Sequence, residues 1–360
     1  KALREGDDTK MRSFVNNSQG RAYKYKTDLP ELDVLAQRAL PYAELTVPVG
    51  GLLLTLGVDV QHDRLAIVLR AWGRGEESWL VLWGEIYGNV TEQRQDPMTG
   101  GVWGALTMLL SHAYRHENGW LLRVRAMSID SSDGATSDAV YKYVRAAQQA
   151  GYNVMAVKGS SNVDAEIFSV PKASIDSTRN NSKAAKYGLR PYMVGVSRAK
   201  DLILENRLKL EGDGPGRMHW YSGVRSDYLS QLTAEVKVPG PRGGKRVWKR
   251  VSPRNEALDC EGYALHAARS VKVHLMTEAH WQVEQHRASQ VSLFDAVPVL
   301  EALPSALPVE VPPDPPDVPE VIETPRPSPP VEKPAETPPP SGVSRIQGRR
   351  VGRSTYLKRR

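Results

Sequence analysis

Between residues 51 and 87 apolar runs alternate with short polar turns: GLLLTLGVDV, QHDR, LAIVLRAW, GRGEE and SWLVLWGEIY. Runs of this length, rich in Leu, Val, Ile and Trp and bounded by Gly, Asp and His, predict strands at residues 52–60, 65–72 and 78–87. Turns this short join antiparallel neighbours, so the three make a meander. A helix is expected at residues 102–116, where Leu106, Leu109, Leu110 and Ala113 share a face. Residues 124–130 read as a strand ending in an acid and running into Ser131-Ser132-Asp133-Gly134. Thr136 or Ser137 caps the next helix, whose stripe is Val140, Tyr143, Val144 and Ala147, and residues 154–157 form another strand. Strand, helix and strand at this spacing make a parallel unit, so the sheet is mixed and flanked by helices.

Further along, residues 191–196 read as a strand leading into a helix at 197–207, and 218–221 as a short strand. Residues 236–238 pair with 247–251 across a Pro/Gly turn as a hairpin. The last long helix starts at 253 or 254 and ends at 271. Ala257, Cys260, Ala264, Ala267 and Val271 face the core, while Glu256, Asp259 and Tyr263 share a second face by helical spacing.

Composition divides the chain. Its 26 prolines crowd the region after Pro298, so the packed domain is expected at residues 46–275 and a disordered proline-rich linker at 276–344. Residues 345–360 carry Arg345, Arg349, Arg350, Arg353, Lys358, Arg359 and Arg360 with no acid, a tail suited to DNA or an acidic protein surface. Residues 1–45, polar apart from a helical pattern at 32–40, read as a connector from an absent upstream domain. The net charge of +7 suits a polyanionic partner. One cysteine, Cys260, excludes an intrachain disulfide and a Cys-built metal site and points to a reducing compartment. No apolar run is long enough to span a bilayer, which suggests a soluble, intracellular chain. The nearest approach to a phosphate-binding loop, Gly240 to Arg246, has Arg where the hydroxyl belongs and sits in the hairpin, so no ATPase of that kind is present.

Three acids stand in unusual places: Asp59 in the first strand, Asp130 closing the fourth, and Asp259 on the last helix. A strand-end acid satisfying turn amides is the plain reading of Asp59 alone. Together they suggest more, because if the first and fourth strands are neighbours both carboxylates emerge at one spot and the helix brings the third. Clustered carboxylates repel, and a hard divalent cation is their natural partner. Two such ions about 3.5–4 Å apart can activate water and stabilise the leaving oxygen of a phosphodiester.

The segments GVDVQHDRLAIVLRAWGRGEESWLVLWGEIYG, SIDSSDG, AVKGSS and RNEALDCEGYALHAA, in this order, resemble the C-terminal nuclease domain of lambda-type phage terminase large subunits. The resemblance implies an RNase H-like fold over residues 46–275. It also implies a Mg²⁺- or Mn²⁺-dependent endonuclease, with two ions, that cuts concatemeric double-stranded phage DNA in the host cytoplasm, and an upstream packaging ATPase. Asp59, Asp130 and Asp259 then match the acidic metal ligands, with Glu256 as an outer fourth ligand or a helix-start acid. Asp133 departs from the family's Gly-rich turn and is read as a turn residue, and His62 likewise. Lys158 either touches a DNA phosphate or is a solvated strand-end lysine. Arg242, Lys245, Arg246, Lys249 and Arg250, with Trp248 among them, either lie over the duplex or keep a solvated edge unpaired. Implied partners are the terminase small subunit and, through the tail, the portal of the procapsid, in an oligomeric motor. The alternatives are another RNase H-like phosphoryl-transfer enzyme of resolvase or transposase type, and a non-catalytic DNA-binding or assembly module.

Overall fold

The computed structural model describes residues 29–92, 95–171, 183–240 and 245–290. The proline-rich segment from residue 291, the basic tail, residues 1–28 and Arg242 lie outside these. Helix α1 (Leu32–Gln37) and strand β1 (Thr46–Val47) lead into the expected meander of β2 (Leu53–Val60), β3 (Arg64–Trp72) and β4 (Ser78–Tyr87). Every residue of β2 is buried, which is why it reads as one apolar run rather than an alternation.

Helix α2 (Gly101–Ser111) stops earlier than its periodicity suggests, and Ala113–His116 form strand β5 instead. A tight turn closed by His116 N donating to Trp120 O (2.8 Å) folds β5 antiparallel onto β6 (Leu121–Asp130), whose ladder takes up the backbone groups a longer helix would have used. Then follow α3 (Ser137–Gln149), β7 (Val154–Gly159), β8 (Tyr192–Val194) and α4 (Val196–Lys200), which continues into a wider π turn at Asp201–Asn206. After β9 (Met218–His219) and α5 (Ser226–Leu232), the hairpin of β10 (Glu235–Val238) and β11 (Val247–Arg250) stands as its own two-stranded sheet. Helices α6 (Glu256–Ser270) and α7 (Glu278–Ser289) complete the described chain.

Across the main sheet β4, β3 and β2 are antiparallel, and β6, β7 and β8 follow β2 in parallel. This central order, β4-β3-β2-β6-β7-β8, is the RNase H-like mixed sheet expected from the sequence. The packed region is wider than residues 46–275. Leu35 and Tyr42 before it and Trp281 after it belong to the same apolar core. Helix α7 escaped the sequence pattern because it is anchored by one apolar residue, Trp281, and by ion pairs of Arg74 with Glu278 and Arg125 with Glu284, not by an apolar stripe. Among the described residues no helix is long and apolar enough to cross a membrane.

Helix α6 lies directly on β2. A Cβ at Gly57 would stand 2.0 Å from Cys260 O and 2.5 Å from Ala264 N, so the helix backbone occupies the space a side chain would need. Around that contact Thr55 Oγ1 donates to Ala264 O (2.9 Å), Trp72 Nε1 donates to Thr55 Oγ1 (2.7 Å), and the Cys260 thiol donates to Ala66 O (3.1 Å). A buried bidentate pair ties α6 to β3: Arg70 Nε and Nη2 reach Glu261 at 2.6 and 2.7 Å, with Tyr228 of α5 donating to the same carboxylate at 2.6 Å. Breaking one partner of such a pair costs about 3–5 kcal/mol. Gly57→Ala should destabilise the chain by about 1–3 kcal/mol through overpacking. Chemical denaturation measures this, and a change within about 0.5 kcal/mol, ordinary for a surface site, would show that α6 is not held by the contact.

Candidate metal centre

Parallel pairing of β2 with β6 sets Val58 beside Ile129, so Asp59 and Asp130 follow side by side at the carboxyl ends of adjacent strands. Both are buried. Gln61 Nε2 donates to Asp59 Oδ2 at 2.6 Å, and Ser132 N and Oγ donate to Asp130 Oδ1 at 3.2 and 2.7 Å. These hydrogen bonds aim the carboxylates without neutralising them. Burial, then the neighbouring Asp259 and Asp130, push the Asp59 carboxyl well above the usual range. Burial likewise raises Asp130, against hydrogen bonds from Ser132 and the Tyr263 hydroxyl.

Asp259 arrives from the first turn of α6 and keeps 24% of its side chain exposed, so the cluster is open on that side. Its Oδ1 lies 3.2 Å from Lys200 Nζ, and its Oδ2 accepts from Asn255 Nδ2 at 2.8 Å. Lys200 and Asn255 also hold Glu235 of β10, at 2.6 and 2.9 Å. Burial raises the Asp259 carboxyl, Lys200 pulls it back, and Glu235 and Asp130 add to the rise. The sequence reading missed Lys200, Glu235 and Asn255. An Asn at the residue before the helix was the one visible signal, and it is the helix cap position.

Glu256 keeps the face that helical spacing suggested and adds to the charge that raises Asp59, but its own oxygens are taken by cations. Its oxygens pair with Arg64 Nη2 (2.8 Å) and Arg254 Nε (3.0 Å), in a network where Arg64, Arg254 and Arg225 also surround the buried Glu85. With two guanidiniums on it, Glu256 organises arginines beside the cluster instead of serving as a free ligand. Lys158 follows Val157, the register partner of Asp130, so strand alternation turns it to the opposite sheet face. Asp133 accepts from Ala135 N and Thr136 Oγ1, a turn residue as expected, and the exposed His62 lies 3.7 Å from it.

The hairpin root reaches the centre. Glu235 and Arg250 are register partners, and Arg250 Nη1 donates to Asn255 Oδ1 at 3.2 Å. Trp248 Nε1 donates to Asp201 Oδ1 at 2.9 Å and so fastens β11 to the turn after α4. Of the basic residues, Lys245 pairs with Asp164, Arg246 donates to Lys237 O, and Lys249 is exposed.

A hard divalent cation fits the chemistry of this donor set: three carboxylates, all-oxygen, with Asp130 close enough to raise the other two, and a neutral donor orienting each of the three. The three aspartates are nevertheless not drawn into a tight cage. Among the described residues, the three-group set of His, Cys or acid ligand atoms all within 4.8 Å is Glu77, Asp213 and His219. That set lies at the start of β4, the opposite end of the sheet. There His219 stacks on Trp79, and Glu77 accepts from His219 Nε2 (2.7 Å) and Gly214 N (2.9 Å), which fastens the 211–217 loop to the sheet.

Residues 1–281 match the family described as terminase large subunit gpA, endonuclease domain. The chain is 29% identical over 295 residues to the terminase large subunit of Escherichia phage lambda, and 28% identical over 290 residues to that of Enterobacteria phage P21. These matches cover 78% and 77% of this chain and 41% of each relative, so the chain spans about two fifths of their length. Among solved structures it is similar to the large terminase nuclease of thermophilic phage G20c, at 12% identity and a TM-score of 0.33, covering 65% of this chain and 94% of that one. The same nuclease with bound magnesium gives 11% and 0.35, covering 67% and 97%. With more than half its length matched, the chain belongs to the family of terminase large subunit gpA endonuclease domains.

Proposed function

We propose that this domain is a divalent-metal-dependent endodeoxyribonuclease that hydrolyses phosphodiester bonds of concatemeric phage DNA during genome packaging, in the host cytoplasm. The observation that carries the reading is the pair of parallel-strand aspartates, Asp59 and Asp130, with Asp259 set against them by a helix seated on the same strand. Asp59, Asp130 and Asp259 would hold Mg²⁺ or Mn²⁺, two ions in the fullest form of the reading. An ion held by these residues would supply polarisation of a phosphoryl oxygen and a more acidic water. The chain's own contribution is orientation: Gln61 aims Asp59, Ser132 and Tyr263 aim Asp130, and Asn255 aims Asp259. The hairpin root at Arg250 and Glu235 supports a path for the duplex along β10 and β11, with Lys245 and Lys249 on phosphates. Lys158, on the other sheet face, is less well placed for that role. The basic segment at 345–360 is a candidate for docking to the portal of the procapsid, and the small subunit is the remaining packaging partner.

Asp59→Asn, Asp130→Asn and Asp259→Asn should each reduce Mg²⁺- or Mn²⁺-dependent nicking of plasmid DNA at least about a hundredfold, since each removes a charged ligand and keeps its shape. Near-normal cutting by any one removes that residue from the centre, and no cutting by the unmodified chain favours an assembly role.

The raised carboxyl groups give a second test. An acid whose folded value lies above its unfolded value binds protons preferentially in the folded state, so its unfavourable contribution is present at neutral pH and fades as pH falls through the raised value. Asp59→Asn should therefore raise the melting temperature of the metal-free chain at pH 7, and the gap between the two chains should narrow on acidification, since the buried histidines, held below their usual value, cost both chains alike over that range. A lower melting temperature for that variant would mean that Asp59 stabilises the fold and is not held there against repulsion.

For the hairpin, Lys245→Ala combined with Lys249→Ala should weaken DNA binding uniformly across sequences and lower the salt-dependence slope by about 2, one unit for each lost phosphate contact. Anisotropy titrations at several salt concentrations measure it. An unchanged slope would leave β10 and β11 as ordinary surface.

A further inference from the structure

The aspartate cluster already faces one cation, and it belongs to the chain. Lys200, the last residue of α4, has only 14% of its side chain exposed, and its Nζ lies 2.6 Å from Glu235 Oε1 and 3.2 Å from Asp259 Oδ1. Asn255 Nδ2 joins the same two carboxylates at 2.9 and 2.8 Å, so Glu235 and Asp259 stay together whether or not the ammonium bridges them. The other acid nearby, Glu256, is committed to Arg64 and Arg254. Lys200 therefore has two anchors: a buried glutamate at the shorter distance, and an aspartate of the metal centre at the longer one.

We propose that Lys200 is an internal counter-cation of the metal centre, resting on Asp259 when no divalent ion is bound and withdrawing onto Glu235 when one binds. The inference rests on the reading of the three aspartates as metal ligands. Two positive charges on one carboxylate repel, and Glu235 gives the ammonium somewhere to go without leaving a buried charge unpaired. The ion must compete with the chain's own lysine, so free metal binds more weakly than three carboxylates alone would allow. A lysine that only buttressed Asp259 would have the reverse effect, since its loss would let a ligand drift.

Mn²⁺ binding to the 360-residue chain, followed by calorimetry and by the electron paramagnetic resonance signal of free Mn²⁺, separates the two. Lys200→Met and Lys200→Gln should each tighten Mn²⁺ binding about tenfold, the effect of removing a unit charge roughly 6 Å from a divalent ion at near-aqueous dielectric. Glu235→Gln, which removes the retreat, should weaken it. A folded Lys200→Met or Lys200→Gln chain with unchanged or weaker Mn²⁺ binding overturns the proposal, as does unchanged binding in Glu235→Gln. Failure of the underlying reading looks different: Asp59→Asn would then leave Mn²⁺ binding of the chain unaltered.

Discussion

The backbone of α6 rests on the backbone of β2 with room for a hydrogen atom and nothing larger at residue 57. Much of the site's geometry follows from that approach. Gly57 sits two residues before Asp59, and the atoms it admits belong to Cys260 and Ala264, so the contact fixes the height of Asp259 above the strand that carries Asp59. Thr55 and Cys260 set the rotation of the helix through bonds to Ala264 O and Ala66 O, and the Arg70–Glu261 pair fixes its lateral position over β3. Three carboxylates on a strand, its parallel neighbour and a helix bound to the first are held in tighter geometry than loops would provide.

The same end of the sheet treats its acids in two ways. Glu85 and Glu256 are wrapped by Arg64, Arg225 and Arg254, and the arginines hold the Glu85 carboxyl low despite its burial. The three aspartates have neutral donors and one lysine, which touches Asp259, and all three carboxyls are held high. A fold that supplies three guanidiniums to two structural acids and one ammonium, on Asp259, to the other three concentrates negative charge among the aspartates. Perturbed groups of this kind mark functional sites because the fold bears their cost elsewhere, here through the dry core of β2, β3 and α6.

How much of this was readable from the residues depends on range. The meander was legible because its strands are apolar runs cut by short turns, and the acids Asp59 and Asp130 because each closes such a run, in matching contexts that a turn partner alone does not explain. β5 was not, since Ala113 happens to continue the helical phase of Leu106, Leu109 and Leu110, and only the antiparallel ladder with β6 overrides it. Glu256 was grouped with Asp259 by a spacing that is real along the helix, but Arg64 and Arg254 had already claimed it.

The sequence by itself determined most of the strands and helices, though not β5 or α7, and, through four ordered segments, the family; it raised the neighbourhood of Asp59 and Asp130 only as a condition, which the β2–β6 ladder meets. Periodicity suffices for those elements because burial imposes it within each one. Tertiary structure alone decided the partners of each charge: Lys200 and Glu235 on Asp259, the arginines on Glu256, and the turning of Lys158 away from Asp130. These pairings join residues far apart along the chain, and each is chosen by the angle at which one element packs on another, which no local pattern of apolar and polar positions encodes.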